Sequence, residues 1–239
     1  MKSFGIKDIV YLVVIVFLVA ALTTVSVLYG VSRAKGKEEA TYYDQKCAAF
    51  ALENKNYAKG QIVFIGDSIT DGYPLDAYYH DLSLAVYNRG IGGDTTTGVL
   101  KRLQTSLFDL EPAKIIMMIG INDINLKRTN DEIMQNYTAI LDEIKKKAPT
   151  AQVILESVLP MNATVEAYGI NLAVATEQIK DLNTRIKATA TARALLFVDL
   201  FPHFADENDR LIASYSEDGL HPNAAGYAVW NSVLHPLLA

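Results

Sequence analysis

The chain has 239 residues, with 22 Lys+Arg against 27 Asp+Glu, a net charge of −5. That balance leaves no basic excess to grip a phosphate backbone, so no nucleic-acid partner is expected. Cys47 is the only cysteine, which excludes an intramolecular disulfide and a zinc site built on several thiolates.

Residues 1–8 form a short N-terminal tail. From Ile9 to Val31, 19 of 23 positions are apolar and none is charged. About 20 apolar residues at roughly 1.5 Å rise match a hydrocarbon core of about 30 Å. A cleaved signal peptide has a shorter apolar region and a small-x-small site after it, and neither is evident. Residues 9–31 are therefore expected to be an uncleaved transmembrane anchor, with 32–41 as a polar juxtamembrane linker. Lys2 and Lys7 precede the span while Arg33, Lys35 and Lys37 follow it, a count that leans toward a cytoplasmic C-terminal side. A short leader before a large domain leans the other way, and an extracytoplasmic domain is the expectation.

Over 42–239, apolar runs of strand length alternate with helical stretches, the pattern of a parallel sheet with crossover helices. The predicted strands are Gln61–Ile65, Ala85–Asn88, Lys114–Ile119, Gln152–Leu155 and Leu195–Val198. Ile133, Tyr137, Ile140, Leu141 and Ile144 recur at helical spacing, with Glu143 and Lys145 to Lys147 on the other face. Ile170–Thr191 reads as a second helix. Asn223–Leu238 reads as a third, with Pro222 in its first turn. The fold expected is a three-layer α/β/α, flavodoxin-like sandwich on a five-stranded parallel sheet. Ligands of such sheets lie at the carboxyl ends of the strands, so chemistry is to be sought there.

After the first strand, Gly66-Asp67-Ser68-Ile69-Thr70 puts a hydroxyl at a strand-to-helix turn. That is a nucleophile's position, and equally the position of a simple helix cap. After the second comes Asn88-Arg89-Gly90-Ile91-Gly92-Gly93-Asp94-Thr95. It is not a dinucleotide fingerprint, because the third glycine of G-x-G-x-x-G would fall on Thr95. Its glycines suit either a close backbone approach to a ligand or a tight turn. The third strand ends in Gly120-Ile121-Asn122-Asp123, where an amide could donate to a developing oxyanion or bond its own backbone. Near the C-terminus stands Asp218-Gly219-Leu220-His221, a spacing that lets the carboxylate hold Nδ1–H and leave Nε2 as a base.

Together these four blocks resemble the SGNH hydrolase, or GDSL esterase/lipase, family, with Ile69 in place of the motif's leucine. They bracket residues 61–235. The loop Gly90–Thr97 is most similar to the branch containing platelet-activating-factor acetylhydrolase catalytic subunits and bacterial lysophospholipase-like enzymes. The resemblance implies Ser68 as nucleophile, His221 as general base and acid, and Asp218 as the group orienting the imidazole. It further implies an oxyanion hole from the N–H groups of Ser68 and Gly93 and the amide of Asn122, with Asp67 and Asp94 shaping loops. The implied reaction is hydrolysis of short-chain acyl or acetyl esters, on carbohydrate or lysophospholipid-like substrates, without cofactor or metal.

Three rival readings remain at this level. Histidines 80, 203, 221 and 235 lie far apart in sequence, which disfavours a metal-dependent hydrolase. A carboxylate-pair glycosidase could draw on Asp67, Asp71, Asp94 or Asp123, but leaves Ser68 and His221 without roles. A catalytically silent, membrane-tethered binding module of the same fold is the alternative from a different class. Loops Asp71–Asp81 and Leu159–Gly169 are expected to rim the cleft, with Tyr73, Tyr78 and Tyr79 available to stack on a sugar or pack an acyl chain. Asn136 and Asn162 begin N-x-T sequons.

Overall fold

Five apolar runs become the strands of one sheet in the computed structural model, which describes Gly5 and residues 40–239. The strands are β1 (Ile62–Gly66), β2 (Val86–Gly90), β3 (Lys114–Met118), β4 (Gln152–Glu156) and β5 (Leu196–Val198). They pair in the order β2-β1-β3-β4-β5, every pair parallel. Every residue of β1 is buried, as is Ile115 to Met118 of β3, which is why these strands read as continuous apolar runs rather than alternating ones. The chain reverses its direction of travel across the sheet at β1, so the loops after β1, β2 and β3 open a crevice there. Register brings Gly66 level with both Gly90 and Met118, so those three loops start at one height.

The helices used below are α1 (Tyr42–Glu53), α2 (Ser68–Asp71), α3 (Thr96–Lys101), α4 (Ile121–Asn125), α5 (Asn130–Lys147), α6 (Leu172–Ala192) and α7 (Ala224–Leu238). In α5 the Thr129 side chain caps the Glu132 N–H while Glu132 reaches back to the Thr129 N–H, and three lysines close the last turn. Its predicted stripe of Ile133, Tyr137, Ile140, Leu141 and Ile144 is buried. Asn171 caps α6 and Asn223 caps α7. Pro222 therefore precedes the cap of α7 instead of occupying its first turn, and it forms an isolated bridge with Ser216.

The sequence pattern did not announce α1. Phe50 is its only buried residue, so it shows no apolar stripe, and polar contacts hold it down. The Arg89 guanidinium lies 4.5 Å over the Phe50 ring and bonds Glu53 and Asn54, each at 2.8 Å. The expected span at 9–31, its tail and its linker lie outside the described residues, apart from Gly5 and residues 40 and 41. Among the described residues, no helix is long and apolar enough to cross a membrane.

Candidate active site

Asp67 ends the strand-to-helix turn after β1 by accepting the Ile69 N–H at 3.0 Å, which makes Ser68 the first residue of α2. Complete burial pushes the Asp67 carboxyl up to about 7, against the pull of that hydrogen bond. Ser68 Oγ lies 2.8 Å from His221 Nε2, and His221 Nδ1 lies 2.6 Å from Asp218 Oδ2. With Nδ1–H donating to the carboxylate, Nε2 is left to accept the serine proton.

Asp218 is itself held from several sides. Its Oδ1 accepts the backbone N–H groups of His221 at 2.8 Å and Leu220 at 2.9 Å, and the Ser216 hydroxyl at 3.2 Å. Partial burial opposes its charge, but the hydrogen bonds from the imidazole and those N–H groups outweigh it and hold the carboxyl at about 2. The carboxylate is thus charged whenever the imidazole needs it.

Asn122, on the first turn of α4, donates from Nδ2 to the Asp94 carbonyl at 2.9 Å. An amide carries two N–H bonds, so one fixes the side chain and one remains to donate elsewhere. The Gly92-Gly93 pair forms the middle of a turn closed by Asp94 N–H to Ile91 O at 3.1 Å, with Gly93 at φ +76°. Positive φ at the third turn position is the type II geometry that glycine supplies without steric cost. Among the described residues, no acceptor pairs with the N–H of Ser68 or of Gly93. A cavity of about 320 Å³ opens beside Gly93, lined also by Thr95, Lys101 and Arg128.

The remaining carboxylates of the crevice have structural partners. Asp94 pairs with Arg102 Nε at 2.7 Å, both buried, and desolvation raises its pKa. Asp123, next to Asn122 after β3, accepts the Thr96 N–H, the Thr96 hydroxyl and Arg128, each at 2.8 Å. Asp71 accepts Lys46, Tyr42 and the Gly92 N–H. With Asp67 capping α2, none of the four candidates for a glycosidase pair is unengaged.

Tyr73 and Tyr79 are 2% and 3% exposed and bond each other through their hydroxyls at 2.9 Å, packed against Phe64. Tyr78 packs on Tyr73 and donates to Ala224 O at 3.3 Å. Tyr73 and Tyr79 belong to the core, while Tyr78 is only half-buried against it; a run of aromatics does not reveal which side of its loop faces inward. The Leu159–Gly169 loop contributes Tyr168 and Gly169 to a cavity of about 670 Å³, which also takes in Asn125 one turn beyond Asn122. Both sequon amides are engaged, Asn136 with Thr96 and Thr97 and Asn162 with Leu211 O.

Sequence reasoning missed Arg102. Its guanidinium reaches the Gly66 and Arg89 carbonyls at 2.9 and 2.7 Å, in addition to Asp94 and the Ser106 hydroxyl, and so ties the ends of β1 and β2 together. An arginine among polar neighbours carries no signal until its tertiary partners are known.

Comparison with known proteins bears on the family and the fold. The chain is 28% identical over 193 residues to the platelet-activating factor acetylhydrolase IB subunit alpha1 of Rattus norvegicus, covering 79% of each. It superposes with a TM-score of 0.76 and 28% identity on a Streptococcus pneumonia protein provisionally described as a platelet activating factor, covering 91% of this chain and 99% of that one. A GDSL-like lipase of Bacteroides thetaiotaomicron gives a TM-score of 0.71 at 27% identity, covering 83% and 98%. The model of the GDSL-like Lipase/Acylhydrolase family matches residues 64–229, and the chain belongs to that family.

Proposed function

We propose that the protein is a serine esterase that hydrolyses short-chain carboxylic esters through a covalent acyl intermediate on Ser68. The observation that carries this reading is the line Ser68–His221–Asp218, with contacts of 2.8 and 2.6 Å on opposite nitrogens of one imidazole. His221 Nε2 takes the Ser68 proton as Oγ attacks the acyl carbon, and the imidazolium formed is stabilised by the Asp218 carboxylate. The carbonyl oxygen becomes an oxyanion, received by the N–H groups of Ser68 and Gly93 and the free amide hydrogen of Asn122. Collapse expels the alcohol with the proton from Nε2. Water then repeats the sequence on the acyl-enzyme, with His221 first base and then acid. No step calls for a metal or cofactor.

The named relatives support acetyl or other short acyl groups, and carbohydrate and lysophospholipid-like alcohols are the substrate classes proposed. The test is Ser68→Ala against p-nitrophenyl acetate, with an acyl chain-length series on the wild type. Turnover should fall at least about 10³-fold in the variant and decline steeply beyond short acyl chains. Undiminished turnover in Ser68→Ala would refute the reading. The uncharged apolar run at 9–31 supports a tether that holds the enzyme, in this proposal, on the extracytoplasmic face of a membrane. Release of the full chain from washed membranes by carbonate alone would overturn the tether.

A further inference from the structure

Asp71 lies one turn beyond Ser68 on α2, and its backbone N–H bonds the Asp67 carbonyl at 2.8 Å, so its position is fixed to that of the serine. Its Oδ2 accepts the Gly92 N–H at 3.0 Å, across the crevice in the loop after β2. Two elements of α1 close on the same carboxylate: Lys46 Nζ on Oδ1 at 2.8 Å and the Tyr42 hydroxyl on Oδ2 at 2.7 Å. The seam between α2 and β2 is also closed from beneath. Asn88 Nδ2 donates to the carbonyls of Thr70, Asp71 and Tyr73, and a Cβ on Gly90 would collide with the backbone of Asp71.

Resting on the esterase reading, we propose that Asp71 is a positioning residue that sets the two backbone donors of the oxyanion hole, Ser68 N–H and Gly93 N–H, relative to each other, and that α1 is the clamp that holds it. The physical argument lies in the turn Ile91–Asp94. Types I and II differ chiefly in a reversal of the middle peptide, here the Gly92–Gly93 unit that carries the Gly93 N–H. With glycine at both central positions, neither orientation is opposed by side-chain sterics. Something outside the turn must therefore hold the preceding peptide. Asp71 does so through Gly92, and a carboxylate bonded to a backbone N–H is among the stronger such contacts. Lys46 and Tyr42 hold the carboxylate in place, with Tyr42 stacked near Gly92 so closely that a Cβ there would sit 3.3 Å from its ring.

The test uses the full chain. Asp71→Ala should lower kcat about 10- to 100-fold with KM changed less than about threefold, short of the roughly 10²–10³ expected for deleting a donor outright. Affinity for a trifluoromethyl ketone, whose adduct with Ser68 carries an oxyanion, should fall in parallel with kcat. Asp71→Asn, which keeps an acceptor for Gly92, should recover part of the loss, and Lys46→Met with Tyr42→Phe should show a smaller loss of the same kind. Independently of turnover, hydrogen exchange at the Gly92 amide should accelerate at least about tenfold in Asp71→Ala, because the bond that protects it is gone. Unchanged kcat, a kcat loss without loss of ketone affinity, or unaltered exchange at Gly92 would each overturn the clamp. Equal turnover in wild type and Ser68→Ala would instead strike the esterase reading, with the exchange measurement still deciding the clamp.

Discussion

Glu156, at the carboxyl end of β4, is wholly buried beneath α7, where one oxygen accepts the Trp230 indole N–H at 2.7 Å. Burial pushes its carboxyl from 4.5 up to about 8, opposed only by that hydrogen bond. A carboxyl with a raised folded pKa binds its proton more tightly in the folded than in the unfolded state. Its contribution is therefore intact below pH 4.5 and stability falls as pH rises through the window up to about 8. At pH 7 folding must protonate a group whose unfolded pKa is 2.5 units lower, a cost of about 3 kcal/mol at roughly 1.4 kcal/mol per unit. Glu156→Gln keeps the acceptor for Trp230 and removes the titration. Urea unfolding of both proteins from pH 4.5 to 8.5 should give equal stabilities at the acid end. At pH 7 the variant should gain about 3 kcal/mol, a rise in Tm of roughly 6–12 °C for a unit of this size. A residual slope below pH 7 is expected in both, since Asp67 is raised in the same sense. Parallel stability curves for the two proteins would refute the assignment of Glu156 as a buried neutral acid.

Two further predictions concern the crevice. Asn122→Ala should lower kcat about 10²- to 10³-fold with little change in KM, because in the proposed mechanism the free amide hydrogen serves the oxyanion and not the ground-state ester; steady-state kinetics with p-nitrophenyl acetate measure this, and a raised KM at constant kcat would argue for a binding role instead. Arg102→Met leaves the buried Asp94 carboxylate and the Gly66 and Arg89 carbonyls without their partner, and should destabilise the unit by about 3–5 kcal/mol in thermal or urea unfolding, whereas a loss below about 1 kcal/mol would show that the pair is dispensable.

The strands could be read from the sequence because β1 and β3 are covered on both faces and so consist almost wholly of Ile, Val, Phe and Met. Three of the four candidate blocks were legible for a related reason: Ser68, Gly93 and Asn122 come shortly after β1, β2 and β3, and a strand end is easy to find, whereas Asp218 and His221 lie well beyond β5 and were legible only from their spacing. Helix α1 was not, since its anchoring comes from Arg89 and Asp71, residues 36 and 25 positions away from their partners on it. Asp71 stood among the candidates for a glycosidase pair, and Tyr73 and Tyr79 among rings available to stack on a sugar or pack an acyl chain. In each case the residue type was clear and the direction it faced was not, because direction is decided by neighbours distant in sequence. Asp123 makes the same point: it sits beside Asn122 in the chain, yet its carboxylate serves the N-terminus of α3.

The loop after β4 does not stand apart from the loop that carries Asp218 and His221. The Asn162 N–H donates to the Gly219 carbonyl at 3.1 Å, Met161 accepts the Leu211 N–H at 3.0 Å, and a side chain at Gly219 would run into Asn162. Anyone who grafts a foreign loop onto residues 159–169 to change what the enzyme accepts will therefore also redraw the bed on which Asp218 and His221 lie. In the proposed esterase, selectivity and proton transfer would thus be mechanically joined through the contact between Asn162 and Gly219.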